Sequence, residues 1–181
     1  MTEVRKPGEG WTFRRDAIRR FRFVRATLDE ATGRVELVYA FDEGPELVEA
    51  LEIPGAPFAL DAPRRRAVDA ALRLLHLIAG ISYYKAALPP ELVVEGEAPD
   101  AALAELLTAV YEDGLGEFAY RNGLSLRGKV RFPTAGEGAA APALGLGPQA
   151  IVAIGGGKDS LVSIEALRDA GVEQSLAFIG N

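Results

Sequence analysis

The sequence predicts an α/β protein in two parts: an N-terminal α+β domain, then the opening βαβ unit of a doubly wound parallel sheet. Three observations carry this. Apolar residues recur with strand and helix periods in turn through residues 20–133. Residues 134–148 hold eleven Gly, Ala or Pro among fifteen, the composition of a linker or loop. Beyond them a continuous apolar stretch, Ala150-Ile151-Val152-Ala153-Ile154, runs into three glycines and a helical pattern. The expected boundaries are 1–133, 134–148 and 149–181.

Phe21–Leu28 reads as a strand, Asp29–Gly33 as a turn and Arg34–Asp42 as a second strand. Val35, Leu37, Tyr39 and Phe41 alternate onto one face, so the pair forms a hairpin with one buried side. Pro54 and Pro57 bound an irregular piece. Asp61 is placed to cap a helix with Pro63 in its first turn. Val68, Ala71, Leu72, Leu75 and Ile78 then form its apolar stripe, opposite Arg65, Arg66, Asp69 and Arg73. Gly80 ends this helix. Ile81–Lys85 follows, Pro89-Pro90 stops regular structure, and Glu91–Glu95 suits a short strand.

Asp100 caps a second long helix, with Leu103, Leu106, Leu107, Val110 and Tyr111 expected to face the core. Gly114 and Gly116 interrupt it, and a turn through Phe118 stops at Asn122-Gly123. Leu126–Phe132 alternates as a further strand. After the linker come the strand Ala150–Ile154, a helix over Leu161–Ala170 ended by Gly171, and a second buried strand over Gln174–Ile179. One βαβ unit cannot cover both faces of its own sheet, so the sheet is expected to be incomplete in this chain.

Bulk properties narrow the function. Hydrophobic residues make up 49%, enough for a packed core. The longest apolar run, near Leu74–Ile81, is interrupted by His76 and Gly80 and falls short of the ~18 residues of a membrane span. No signal peptide is seen, and the chain contains no cysteine, which removes disulfides and thiolate chemistry and fits a cytoplasmic protein. Net charge is −6, which argues against general nucleic-acid binding. Residues 1–28 nevertheless carry eight Lys/Arg against three Asp/Glu, including Arg14, Arg15, Arg19, Arg20, Arg22 and Arg25. They form either a solvated or partner-facing surface, or a contact for an anion such as a nucleotide-sugar diphosphate or RNA.

The clearest chemical signal is Gly155-Gly156-Gly157-Lys158-Asp159-Ser160 between strand and helix. Glycines let backbone N–H groups turn toward a ligand, and the helix start supplies free donors and the positive end of its dipole. Lys158 adds a cation, Ser160 a hydroxyl, and Asp159 a carboxylate able to hold Mg²⁺. Phosphate oxygens suit that set. It is not a Walker A loop, since position 152 is Val and position 159 is Asp. Gly145, Gly147 and Ala150 spell a dinucleotide fingerprint, but before the strand rather than after it.

The hexapeptide resembles the S-G-G-x-D-S signature of the N-type ATP pyrophosphatase (PP-loop) superfamily, with Gly155 in place of the first serine. That resemblance implies an adenine nucleotide α-hydrolase-like domain that cleaves ATP to AMP and pyrophosphate. It also implies that Gly155, Gly156, Gly157, Lys158 and Ser160 hold phosphates while Asp159 positions Mg²⁺. Ile81-Ser82-Tyr83-Tyr84-Lys85, Glu117–Leu124, Gly128–Pro133 and Ile154–Ser160 together resemble the MurL family of UDP-N-acetyl-α-D-muramoyl-L-alanyl-L-glutamate epimerases of bacterial cell-wall synthesis. The implied substrate is the UDP-MurNAc-dipeptide, with ATP and Mg²⁺ required. Catalytic candidates are Asp159, Lys158 and Lys85. Ser82, Tyr83, Tyr84, Lys85 and Arg121 are the substrate-side candidates. The tyrosines could equally pack beneath a loop while Lys85 is solvated, and Arg121 and Asn122 could serve only to end a helix. His76, the single histidine, lies on an apolar helical stretch and reads as a core residue. Two other readings stay open: a PP-loop enzyme adenylating a tRNA or nucleobase carbonyl, and a non-catalytic nucleotide-binding module. In a doubly wound sheet the ligand lies beyond the carboxyl ends of the strands, which points to the glycine loop and the region of Gly180.

Overall fold

A bulge sets the geometry of the N-terminal sheet. Strand β1 (Arg20–Leu28) pairs antiparallel with β2 (Arg34–Phe41), and the register shifts between Phe23 and Arg25. Before the shift Phe21 and Phe23 oppose Phe41 and Tyr39; after it Ala26 and Leu28 oppose Leu37 and Val35. One extra residue, Val24, thereby moves the inward positions of β1 from odd to even numbers, and the apolar side stays on the core. The computed structural model describes residues 11–136 and 144–178. It divides into two compact units, with the break between Pro142 and Ala143.

In the first unit β3 (Leu47–Glu52) adds antiparallel to β2, and β4 (Glu91–Val94) adds parallel to β1, giving the order β3-β2-β1-β4. Strand β3 has no strand signal in the sequence. Its Leu, Glu and Ala are helix formers, and it is exposed along nearly its whole length as an edge strand. Helix α1 (Ala62–Ala79) starts where expected, with the Asp61 carboxylate accepting from the Arg64 N–H at 2.8 Å. Helix α3 (Ala101–Gly114) starts the same way on Asp100, which accepts from Leu103 N–H at 2.8 Å. Between them lies the single turn α2 (Ile81–Tyr84), and α4 (Gly116–Arg121) follows α3.

Both long helices bury a narrower stripe than their sequences suggest. Helix α1 turns Leu72, His76 and Leu77 inward and leaves Leu75 and Ile78 exposed. The reason is His76. Its Nε2 lies 2.9 Å from the Val38 carbonyl oxygen, and its ring packs on Tyr39 and Phe23. A satisfied imidazole can thus occupy a core position that a hydropathy count assigns to leucine. Helix α3 buries Ala104, Leu107 and Tyr111 while Leu106 is exposed. The expected strand Leu126–Phe132 is absent. Leu126, Val130 and Phe132 are buried, but Gly128 at φ +73° and the Lys129 N–H to Leu126 carbonyl bond fold the segment into a turn.

Gly80 ends α1 without a left-handed turn, at φ −56° and ψ −20°. A Cβ there would lie 2.5 Å from Phe23 Cε1 and 3.0 Å from both the Tyr111 hydroxyl and Tyr39 Cε1. The glycine is required by close approach, not by φ.

The second unit is the parallel pair β5 (Gln149–Ala153) and β6 (Glu173–Ala177) joined through α5 (Lys158–Asp169). Its strands were expected to be buried. Only Val152 is; Ile151, Leu161, Val162, Leu176 and Phe178 are all more than half exposed. One helix shields part of one face of a two-stranded sheet and leaves the rest in solvent. Ile179, the expected strand end, lies outside the described residues, as do residues 137–143 of the predicted linker.

Candidate functional site

Helix α5 begins earlier than its apolar pattern suggests, so Lys158, Asp159 and Ser160 form its first turn. The loop proper is only Ile154–Gly157. Gly156 takes φ +80°, which a residue with a Cβ adopts at a cost, and Gly157 sits in extended conformation as the N-cap. A Cβ at Gly155, Gly156 or Gly157 would meet nothing within 4 Å. The glycines are therefore not explained by internal packing, and they leave open space beside the helix start. The first-turn N–H groups have no carbonyl one turn back to bond. Asp159 stands in this turn, where the dipole favours a carboxylate. The Ser160 hydroxyl donates to the Gly157 carbonyl at 2.8 Å, so donation to a ligand needs a change of rotamer. Lys158 and Asp159 are exposed. Gly180 lies outside the described residues.

This arrangement can bind an oxyanion and, with a phosphate already present, a divalent cation. Among the described residues no group of three or more His, Asp or Glu side chains gathers to hold a metal. Asp159 fits Mg²⁺ in the manner Mg²⁺ prefers, one carboxylate shared with phosphate oxygens and water.

The substrate-side candidates are spread over different surroundings. Tyr83 is half-buried, stacks on Tyr39 with centroids 5.0 Å apart, and donates its hydroxyl to Glu49 at 2.8 Å. Burial and that carboxylate raise its pKa. Tyr84 is buried against Phe21 and Tyr111, and burial pushes its phenol up to about 12. Ser82 and Lys85 are exposed, and Lys85 caps α2 through its backbone. Arg121 pairs with Glu117 one turn back at 2.8 Å on an exposed surface. Asn122 Nδ2 donates to the Phe118 carbonyl at 2.8 Å, which is a helix-ending contact. His76 is buried as expected, and burial lowers its pKa against the opposing effect of its bond to Val38.

The basic N-terminal run separates by neighbour. Arg20 pairs with Glu43 at 3.2 Å, Arg22 binds Glu95, and Arg25 meets Glu46 with bonds of 2.6 and 2.8 Å. Arg15 instead lines a cavity of about 600 Å³ together with Tyr84, Leu88, Asn122, Ser125 and Lys129. Of these, Leu88, Ser125 and Lys129 carry no sequence signal that singles them out. Lys129 falls inside a motif that carries the family resemblance, but a lysine beside a glycine turn has no spacing signature of its own.

Comparison with known proteins gives this geometry its context. A family model described as the MurL N-terminal domain matches residues 12–181. A UDP-N-acetyl-α-D-muramoyl-L-alanyl-L-glutamate epimerase of Xanthomonas oryzae pv. oryzae (strain MAFF 311018) is 62% identical over 169 residues, covering 93% of this chain and 38% of that protein. Proteins of the same name from Salinispora tropica and a Micromonospora strain are 39% and 40% identical over 160 and 159 residues. They are covered over 34% and 35% of their lengths, so the chain spans little more than a third of these relatives. No solved structure matches it. The matched span and the identities show that the chain belongs to the MurL N-terminal domain family.

Proposed function

We propose that the protein acts as an ATP-dependent epimerase that inverts the terminal L-glutamate of UDP-MurNAc-L-Ala-L-Glu. The observation that carries this is the open glycine loop at the β5–α5 junction, in a chain related to proteins named as epimerases of that substrate.

An α-proton beside a free carboxylate is barely acidic, because its removal places a second negative charge next to the first. The glutamate α-carboxylate attacks the α-phosphorus of ATP, the bond to the β-phosphate breaks, and pyrophosphate leaves. The mixed anhydride now withdraws electrons. A base removes the Cα proton to give an enolate that cations and N–H donors stabilise, and an acid returns a proton on the other face. Water then attacks the acyl carbon and releases AMP with the carboxylate restored.

In this reading the N–H groups of the Gly155–Gly157 loop and of the first turn of α5 hold the phosphates, with Ser160 as a further donor. Lys158 offsets the charge that builds on the phosphorus centre. Asp159 would hold Mg²⁺, which would neutralise phosphate charge. Lys85 and Arg121 are exposed cations able to reach substrate carboxylates, while Ser82, Tyr83 and Tyr84 shape the substrate side. Dependence on ATP supports a cytoplasmic location. The exposed apolar residues of the second unit support further polypeptide completing its sheet, and no helix among the described residues is long and apolar enough to cross a membrane.

The test is proton exchange in heavy water. The full-length protein should wash solvent deuterium into the glutamate Cα when ATP and Mg²⁺ are present and not when ATP is omitted. Asp159→Ala should abolish exchange while circular dichroism stays unchanged. Exchange without ATP, or undiminished exchange in Asp159→Ala, would contradict the reading.

A further inference from the structure

The cavity bounded by Arg15, Tyr84, Leu88, Asn122, Ser125 and Lys129 is separate from the glycine loop in sequence and lies wholly within the first unit. We propose that it binds the nucleoside diphosphate end of the substrate, and so anchors the molecule remotely from the carboxylate that reacts. This deepens the epimerase reading and rests on it.

Four features point to that ligand. First, Arg15 and Lys129 both line the cavity, and neither has a carboxylate partner among the described residues, whereas Arg20, Arg22 and Arg25 are each held by a glutamate. Two unpaired cations on one cavity suit a diphosphate. Second, Asp16 lines the same space. A carboxylate opposes a second anion but accepts from a ribose diol, so cations and carboxylate together favour a nucleoside diphosphate over bare pyrophosphate. Third, the volume of about 600 Å³ and the mixed wall of Tyr84, Leu88, Asn122 and Ser125 suit a small organic ligand and exceed what an inorganic ion needs. Fourth, Leu88 is held at φ +53°, a left-handed conformation unusual for leucine, with its N–H bonded to the Tyr84 carbonyl at 2.9 Å. Backbone strain of this kind collects at ligand clamps. The chemistry needs such an anchor, since binding energy from the non-reacting end of a substrate can serve to position the reacting end.

Direct binding of UDP to the full-length protein tests this, measured by calorimetry with ATP and Mg²⁺ saturating. UDP should still bind under those conditions. Arg15→Ala and Lys129→Ala should each weaken it by about tenfold or more, the loss expected for one charged hydrogen bond. Both residues are exposed, and thermal melting verifies that the variants fold. The Michaelis constant for UDP-MurNAc-L-Ala-L-Glu should rise in the same order, while Arg127→Ala, which is exposed nearby and does not line the cavity, should leave UDP binding unchanged. UDP affinity indifferent to both cavity substitutions would overturn the proposal. So would displacement of UDP by ATP, or an equal loss in Arg127→Ala, which would reduce the effect to general charge. If UDP binds through Arg15 and Lys129 but no epimerisation occurs, the cavity assignment stands and the reaction falls. Turnover without cavity-dependent UDP binding gives the reverse.

Discussion

His76 shows how a single residue misleads a count of hydropathy. Its polarity is cancelled by the Val38 carbonyl and its ring fits the aromatic cluster, so it is buried where leucines two and one residues earlier are not. Burial favours the neutral ring and lowers the pKa. The unfolded chain therefore binds more protons than the folded one between the depressed folded pKa and the ordinary value of about 6.5. This contribution to stability is complete above that value and is lost as pH falls through the window. His76→Gln keeps a donor for Val38 and removes the titration. The melting temperature of the parent protein should fall more than that of His76→Gln between about pH 7.5 and about pH 5.5. Identical pH slopes would show that His76 does not titrate in this way. Residues Gly155–Asp159 are the opposite case: they are exposed, so no core contact explains them, while the neighbouring Ser160 hydroxyl bonds the Gly157 carbonyl.

Elements were legible where a local cause dictates them. Asp61 and Asp100 cap their helices because a carboxylate reaches a first-turn N–H whatever the surrounding fold. The β1–β2 hairpin follows from its alternation. What could not be read depends on partners distant in sequence. Strand β3 exists because it pairs along β2, and Leu126–Phe132 is not a strand because the turn at Gly128 folds it back, although Leu126, Val130 and Phe132 are buried. The bulge at Val24 is likewise set by pairing. Gly80 was legible as a helix end but not for its reason. In an ordinary helix, alanine is favoured over glycine by about 1 kcal/mol. Here the added methyl meets two aromatic rings and the Tyr111 hydroxyl, and overpacking of that kind costs about 1–3 kcal/mol. The clash should win, and Gly80→Ala should lower the denaturation midpoint in urea. An unchanged or higher midpoint would mean that the rings move aside freely.

At the scale of the whole molecule, the two units differ in how self-sufficient they are. The first has a continuous core from Ile18 to Phe132. The second buries one large apolar side chain and exposes several others. Sequence alone showed the βαβ pattern and its glycine loop, because both are local. It misjudged burial, because burial depends on what packs against the sheet. It singled out a short glycine motif but could not assemble the cavity, whose walls come from residues 15–16, 84–90 and 122–129. Only folding brings those three segments together.

The proposed reaction couples nucleotide cleavage at the glycine loop to stereochemical inversion. The most direct measurement gives the full-length protein ATP, Mg²⁺ and UDP-MurNAc-L-Ala-L-Glu, and follows AMP, pyrophosphate and the chirality of the glutamate in one reaction. AMP and pyrophosphate should appear only with the nucleotide-sugar dipeptide, in step with D-glutamate. Inversion without AMP formation, or AMP formation without inversion, from protein shown to be folded would contradict this coupling.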